Sequence, residues 1–300
     1  MFASYYLINE EFAIVKADHR EFAVHYTTYG ENIFFRQSWE RRVAIVEEND
    51  PCYWITLREQ RIGGICIEPN SLSFFFLEPP FTDINQVLLK LKQLLIQYSN
   101  LNEPIRVYGI LPYQTEHFLR LGFLPTETRR VMIRPTEIFE SQDVGDEFIV
   151  ELPTLEHLDK MANSCFNAYS GADSIGYPEK NTLEQQKQDL EYYFTHNKEE
   201  ILRASSSIVF DESNGNIIAV CLVSLWEGFP LISNISVIPQ YRGKQIATKL
   251  LKKALTVLFE EYDVVRLFVT AGNPAESLYF NLGFHPGMEQ TTFHLPYRNR

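Results

Sequence analysis

The sequence predicts an α/β protein made of two similar domains. The chain has 300 residues, and a single domain usually contains about 150. Residues 118–125 (FLRLGFLP) resemble residues 279–286 (YFNLGFHP), and in both segments Leu-Gly-Phe ends a short predicted helix. Each segment follows an apolar run typical of a buried strand, at residues 105–110 and 264–270. The repeat indicates a duplicated domain.

The elements before these segments repeat as well. Residues 71–77 form a predicted strand that leads into a helix over residues 83–98. In the second half, a strand over residues 231–238 leads into a helix over residues 243–260. Alternation of this kind predicts α/β units with right-handed crossovers where strands pair in parallel.

A polar, turn-rich stretch at residues 143–146 separates two apolar strands and predicts the domain boundary. We therefore expect domains at residues 1–145 and 146–300. Asn214 and Gly215 predict a two-residue hairpin turn, because both positions of such a turn need positive φ. The other elements expected in the second domain are strands at 148–152, 206–211 and 216–225, a helix capped by Thr154, and a helix at 182–195.

Composition limits the partners. The chain has 39 acidic and 27 basic residues, a net charge of -12, which disfavours nucleic acid because a phosphate backbone needs a basic surface. Small amines remain plausible partners. No apolar run approaches the roughly 20 residues that span a bilayer, and no leader pattern is present, so we expect no membrane association and a cytoplasmic location.

The four cysteines stand singly in the sequence, at Cys52, Cys66, Cys165 and Cys221. None belongs to a pair at metal-ligand spacing, and no two histidines lie near one of them. We expect reduced cysteines within the core and no metal site.

Residues 236–251 (SVIPQYRGKQIATKLL) form the most specific stretch of the sequence. A strand runs into a turn that begins at Pro239, then into a loop with Gly243, and then into an amphipathic helix. A helix start of this type offers free backbone N–H groups and a positive dipole end to phosphate oxygens. The alternative is an ordinary helix start whose lysines form a solvated face. The neighbouring bases are Arg242, Lys244, Lys249, Lys252 and Lys253.

This stretch resembles the GNAT superfamily of acyl-CoA-dependent N-acyltransferases, whose signature is Arg/Gln-x-x-Gly-x-Gly/Ala after a strand that ends Val-x-Pro. The resemblance implies acetyl-CoA as acyl donor and two GNAT-like domains, each a mixed, centrally splayed sheet flanked by helices. It implies that the backbone of Ile235 and Val237 pairs with the pantetheine arm. It also implies a pyrophosphate-binding loop made of Arg242, Gly243, Lys244, Gln245, Ile246, Ala247 and Thr248. Gln245 departs from the family pattern, since it replaces the first motif glycine.

Residues 273–284 resemble the closing helix of the same family. Asn273 is expected to cap this helix, with Pro274 and Glu276 completing a capping box, and a contact with the cofactor is possible there too. The resemblance implies that Tyr279 is the general acid that protonates the departing thiolate of CoA. Its alternative role is that of a core aromatic residue.

The amine must lose a proton before it attacks, so a carboxylate or a water molecule should lie on the other side of the thioester. Glu227, just before the strand that carries the cofactor, is the best acidic candidate. Its alternative role is that of a solvated turn residue.

The first half differs from the second at the three positions that carry chemistry. When the prolines are aligned, Asp83 falls within the phosphate loop, where its carboxylate would repel an anion and would cap the helix instead. Phe118 falls on Tyr279 and cannot donate a proton, and Pro112 falls on Asn273. We therefore expect a degenerate N-terminal copy without a phosphate-binding loop.

The expected activity is transfer of an acetyl group from acetyl-CoA to a primary amine of a small molecule by direct attack. The loop at residues 171–177 and the acidic composition would suit a cationic acceptor. Two alternatives stay open: transfer of a longer acyl or aminoacyl group on the same fold, and a CoA-binding module without catalysis.

Overall fold

The computed structural model describes residues 5–7, 11–33, 38–48, 51–100, 102–140, 143–170 and 181–296. The chain divides into two compact units, Met1–Arg130 with Met288–Arg300, and Val131–Gly287. We call them unit 1 and unit 2. In the described ranges the α-helices, α1 to α9, are His19–Tyr29, Trp39–Glu47, Ile84–Tyr98, Pro112–Arg120, Leu158–Tyr169, Leu183–His196, Glu200–Ser205, Ile246–Leu258 and Ala275–Asn281.

The strands of the same ranges are numbered β1 to β14, and short 3₁₀ turns cover Leu155–His157 and Pro239–Tyr241. The strands are Tyr5–Leu7, Phe12–Lys16, Cys52–Leu57, Gln60–Glu68, Ser71–Leu77, Ile105–Ile110, Leu124–Pro135, Phe148–Glu151, Ser207–Asp211, Ile217–Trp226, Phe229–Val237, Val264–Thr270, His285–Pro286 and Gln290–Leu295.

Unit 1 is built on a sheet in the order β1-β2-β3-β4-β5-β6-β14, and β14 also pairs with the first part of β7. Its only parallel pairing among the described residues is between β5 and β6, which meet at Ser71↔Arg106 and Leu72↔Val107 and then separate. The core contains apolar residues of α3, β3, β4 and β6. Its sheet is mixed and splayed at the centre, as the resemblance implies.

The boundaries of the units differ from those expected at residue 145. Strand β14 belongs to unit 1, because it pairs antiparallel with β6, for example at Thr291↔Ile110, and with the first part of β7, at Gln290↔Arg129. Residues from Val131 onward belong to unit 2. The polar stretch at 143–146 thus lies within unit 2. The sequence does not reveal this boundary, because a pairing between strands so far apart leaves no local pattern.

Unit 2 is built on a sheet in the order β8-β9-β10-β11-β12, with the second part of β7 beside β12. Strands β11 and β12 pair in parallel, at Leu231↔Arg266 and Ile232↔Leu267, and they then diverge. Alternate residues of β10 point to opposite faces of the sheet. Cys221 packs in the cluster that contains α8, and Val220 packs in the cluster that contains α5 and α6. Helices thus cover both faces of a second splayed sheet.

Two local predictions are corrected by the structure. The turn between β9 and β10 is a hairpin, but Asp211 N–H donates to the Asn216 carbonyl at 3.0 Å, so the turn is longer than two residues. Gly215 has φ of 65°, whereas Asn214 is not among the residues with positive φ. Helix α8 begins at Ile246 rather than at residue 243, because Gly243 and Gln245 take left-handed conformations that a helix does not accept.

The cysteines are buried, as expected, but they are not all isolated. Cys52 and Cys66 are directly opposite each other on β3 and β4, and their Sγ atoms are 2.6 Å apart. This proximity arises from the register of the hairpin, which the sequence spacing alone does not reveal. No helix in the described part of the chain combines the length and apolar composition needed to cross a bilayer.

Candidate functional site

The gap between β11 and β12 in unit 2 exposes one edge of β11. The Ile238 N–H donates to the Ile218 carbonyl at 2.9 Å, so in this antiparallel ladder every second residue of β11 faces β10. The backbone groups of Ile235 and Val237 therefore point the other way, toward the gap. Ser233 is an extra residue in the ladder, because Leu222 pairs with Asn234 while Val223 pairs with Ile232. The bulge lies where the two parallel strands begin to separate.

Two side chains of unit 2 already donate to carbonyl groups at this edge. The Tyr169 hydroxyl donates to the Ile235 carbonyl at 3.3 Å. The Arg242 Nε donates to the Val237 carbonyl at 3.2 Å, and its Nη2 donates to the Ala168 carbonyl at 2.8 Å. Arg242 thus ties the end of α5 to the end of β11. Because a carbonyl oxygen has two lone pairs, each can still accept a second hydrogen bond.

The loop after β11 leads into a helix start whose first backbone N–H groups are not used by the helix. Gly243 has φ of 80° and Gln245 has φ of 63°, whereas Lys244 between them is not among the residues with positive φ. Left- and right-handed residues that alternate in this way form concave anion-binding turns in proteins. Lys249 N–H donates to the Gln245 carbonyl at 3.0 Å, which is the first helical bond of α8. The N–H groups of Ile246, Ala247 and Thr248 precede that bond and have no partner within the helix. An added Cβ at Gly243 would meet no atom within 4 Å, so the space beside the loop is open.

The basic residues of this stretch do not form a single patch. Lys244 lies 2.9 Å from the Glu147 carboxylate, so part of its charge is already balanced. Lys253 Nζ donates to the Ser207 hydroxyl at 2.7 Å, and burial lowers the pKa of this lysine. Lys252 lies over the ring of Phe139, at 5.0 Å. Among the described residues, the backbone and the helix dipole therefore contribute more to an anion site than a cluster of free lysines does.

Tyr279 lies on the short helix α9 and is 6% exposed. It packs in the same core cluster as Ile232 and Leu267, the last pair of the β11/β12 ladder. Its ring meets that of Phe284 edge to face, with centroids 6.0 Å apart. The structure thus places Tyr279 within the core of unit 2.

Asn273 caps the start of this helix. Its Oδ1 accepts from the Ala275 N–H at 2.9 Å, and the Glu276 carboxylate accepts from the Gly272 N–H at 3.0 Å. The structural role expected of Asn273 is therefore observed, although Glu276 reaches the residue before the expected one.

Glu227 occupies the tight turn between β10 and β11, with φ of 50°. Its carboxylate is 4.0 Å from Arg266, whose side chain is fully buried, and its own side chain is only 13% exposed. The Arg266 guanidinium lies over the rings of Trp226, at 4.8 Å, and Phe229, at 4.5 Å. Glu227 is thus a turn residue, as its alternative role supposes, but it is mostly buried and ion-paired rather than solvated.

A polar cluster that the sequence does not reveal lies between α5 and β11. The Tyr169 hydroxyl oxygen lies 3.3 Å from Asn234 Oδ1, so its one proton is shared between this atom and the Ile235 carbonyl. Asn234 donates to the Cys165 thiol at 3.7 Å, and that thiol is 3.7 Å from the Ser236 hydroxyl. Burial raises the pKa of Cys165 to about 11, so the thiol stays protonated at neutral pH. These side chains come from segments about 70 residues apart, and no spacing rule connects them.

The predicted acceptor loop at residues 171–177 lies outside the described residues.

The corresponding region of unit 1 supports the alignment of the two halves. Glu78 N–H donates to the Ile62 carbonyl at 2.8 Å, so Glu78 holds the place that Ile238 holds in unit 2. The Asp83 carboxylate caps α3 by accepting from the Gln86 N–H at 3.1 Å. Phe118 meets Phe123 edge to face at 5.5 Å, as Tyr279 meets Phe284. The start of α3 is thus occupied by a carboxylate of the protein itself.

Comparison with known proteins agrees with this geometry. Residues 164–284 match the model of the acetyltransferase (GNAT) family. A comparison with curated protein sequences gave no match.

Solved structures resemble the chain over nearly its whole length. A GCN5-related N-acetyltransferase from Sphaerobacter thermophilus is 14% identical, with a TM-score of 0.67 and 96% of each chain covered. A tandem GNAT protein from the clavulanic acid biosynthesis pathway is 10% identical, with a TM-score of 0.56, covering 95% of this chain and 98% of that one. A GNAT-family acetyltransferase from Colwellia psychrerythraea is 12% identical, with a TM-score of 0.56, covering 95% and 100%. At such identities the likeness is one of fold.

Proposed function

We propose that this chain, whose residues 164–284 match the model of the acetyltransferase (GNAT) family, is an acyltransferase that transfers an acetyl group from acetyl-CoA to a primary amine of a small molecule. The observation that carries the proposal is the edge of β11 in unit 2. The backbone groups of Ile235 and Val237 face a gap, and the strand leads directly into a loop with two left-handed residues and the start of α8.

The chain offers different groups to different parts of the donor. The N–H groups from Gly243 to Thr248 are suited to the oxygens of the pyrophosphate, because they are unused by the helix and lie at its positive end. The backbone of Ile235 and Val237 is suited to the amides of the pantetheine arm, with Tyr169 and Arg242 sharing the two carbonyl groups. Acetyl-CoA, when bound, supplies an activated thioester. Asn273, which caps α9, is assigned a contact with the same ligand.

Our proposal assigns the two proton transfers to Tyr279 and Glu227. Tyr279 donates its phenolic proton to the sulfur atom of the departing thiolate, since a phenol with a reference pKa near 10 is protonated at neutral pH. Glu227, or a water molecule, accepts the proton that the ammonium group of the acceptor must lose. Direct attack by the amine needs no covalent intermediate on the protein, so catalysis depends on positioning and on polarisation of the thioester carbonyl.

We assign the degenerate copy to the N-terminal half, residues 1–145, and the catalytic domain to residues 146–300. As described above, β14 pairs within unit 1 and residues from Val131 onward belong to unit 2. Asp83 at the start of α3 supports this assignment, because a carboxylate that already caps a helix repels an anion at the same place. A small cationic acceptor fits the net charge of -12, and our proposal also includes a cytoplasmic location.

Two measurements on the full chain test the proposed function. Calorimetric titration with acetyl-CoA is expected to show binding at one site, and absence of binding would contradict the proposal. A thiol-release assay over a panel of small amines is then expected to show turnover for at least one of them. Binding of acetyl-CoA without turnover of any amine would indicate a CoA-binding module without catalysis, and turnover only with a longer acyl-CoA would indicate transfer of a longer acyl group.

A further inference from the structure

Unit 1 contains its own gap, and a cavity of about 490 Å³ lies there. Strands β5 and β6 pair only at Ser71↔Arg106 and Leu72↔Val107. The cavity is lined by the segments that follow this pairing, residues 73–77 of β5 and residues 108–110 of β6. Binding pockets for small organic molecules usually enclose about 300–1,000 Å³. The cavity therefore has the size of a ligand site.

The lining is dominated by aromatic residues. Tyr26, Tyr29, Tyr108 and Tyr113 line the cavity together with four phenylalanines. The rings support one another: the Tyr26 ring meets that of Phe74 at 4.9 Å, edge to face. Tyr29, Tyr108 and Tyr113 are 43%, 42% and 62% exposed. These three tyrosines are thus partly accessible to a ligand that enters from solvent.

The charges around the cavity oppose an anionic ligand. Among the described residues that line it, Glu31 is the one carboxylate, and neither lysine nor arginine is present. Partial burial and the negative charge of Glu31 raise the pKa of Tyr113. The adjacent start of α3 is capped by Asp83. His117 also lines the cavity, and its Nδ1 is 2.7 Å from the Asn85 side chain. The cavity thus favours a cation over the phosphates of a nucleotide.

We propose that this cavity binds an organic ammonium ion, held by cation–π contacts with tyrosine rings and by the carboxylate of Glu31. A cation over the face of an aromatic ring is attracted by the ring's quadrupole, and a nearby carboxylate adds direct charge attraction. Unit 1 thus has a gap between two parallel strands, as unit 2 does, with a lining that suits a cation. This inference does not depend on acetyl transfer in unit 2.

Benzyltrimethylammonium is a suitable probe, because its charge is permanent and it has no N–H that could accept an acetyl group. Titration of the full chain is expected to show binding at one site. The neutral alcohol 2-phenylethanol is expected to bind about tenfold more weakly, since it lacks the charge. Equal or tighter binding of the alcohol would overturn the proposal, because it would show an apolar site without preference for a cation.

Variants locate the site. Glu31→Gln and Tyr113→Leu change exposed residues, and each is expected to weaken probe binding about fivefold. Tyr192→Leu, which replaces a tyrosine of unit 2 that is 66% exposed, serves as control and should bind as the unchanged protein does. Unaltered binding by both cavity variants would overturn the proposal. Displacement of the probe by acetyl-CoA would also overturn it, since that would place both ligands in one site.

Discussion

The carboxylate of Glu227 lies 4.0 Å from the guanidinium of Arg266, at the end of the hairpin that leads into β11. Removal of one member of a buried ion pair leaves the other charge uncompensated. Glu227→Gln should lower the free energy of unfolding by about 2 kcal/mol, since the cation–π contacts of Arg266 retain part of its stabilisation. The double variant with Arg266→Met should lose less than the sum of the two single changes. Additive losses in denaturant unfolding would contradict the coupling.

The same variant tests the proton acceptor. If Glu227 removes the proton from the amine, Glu227→Gln should be slow at neutral pH and should recover as the pH rises, because the amine then deprotonates in solution. If the pH profile of kcat is parallel to that of the unchanged protein, a water molecule accepts the proton of the amine and Glu227 has only a structural role.

Tyr279→Phe tests the general acid. The ring packing against Phe284 should survive, because only the hydroxyl is removed. We expect kcat to fall about 100-fold with little change in the KM for acetyl-CoA. Tyr192→Phe, at an exposed position, should retain full activity. Undiminished kcat in Tyr279→Phe, measured with saturating amine, would reduce Tyr279 to a core aromatic.

Gln245 holds a left-handed conformation, with φ of 63°, where the family pattern has glycine. A residue with a side chain costs about 1–2 kcal/mol in this conformation, and glycine costs up to about 1 kcal/mol through the flexibility of the unfolded chain. Gln245→Gly should therefore raise the free energy of unfolding by about 0.5–1 kcal/mol and leave acetyl-CoA affinity equal or improved. Weaker binding by the glycine variant would mean that the Gln245 side chain contacts the ligand.

Asp211 is expected to contribute to the pH dependence of the stability of the fold. Hydrogen bonds from Ser213 and from the hydroxyl of Tyr241 lower the pKa of Asp211 from 3.8 to about 2. A lowered pKa stabilises the fold above the unfolded value, and this stabilisation is lost as the pH falls through the folded value. Asp211→Asn should therefore flatten the decline of stability between about pH 4 and pH 2, as measured by thermal unfolding. An unchanged decline would show that other carboxylates control it.

Much of the fold follows from local patterns. The bounds of β5, β6 and β12 agree with those predicted from apolar runs, and Asp83 caps α3 as expected. The loop between β11 and α8 was predictable because Gly243 and the helix that follows form a contiguous signal. The separation of β11 from β12 follows from the family resemblance rather than from periodicity.

The features that could not be predicted from the sequence depend on contacts between distant segments. The exchange of β14 into unit 1 involves strands more than 150 residues apart. The pairing of Glu227 with Arg266 and the contact between Cys165 and Ser236 likewise require the folded sheet. The aromatic cavity of unit 1 could not be predicted from the sequence, because its residues come from four separate elements, α1, β5, β6 and α4.

The most direct test of the account is the affinity of acetyl-CoA for variants at Gly243, where the loop turns beside open space. Gly243→Ala adds a methyl group at φ of 80° and should weaken binding only slightly, since its N–H is kept. Gly243→Asp adds a negative charge next to the pyrophosphate and should weaken binding by about 2 kcal/mol, or about 30-fold, in calorimetric titration. If Gly243→Asp binds acetyl-CoA as tightly as Gly243→Ala does, the ligand does not bind at this loop and the account is contradicted.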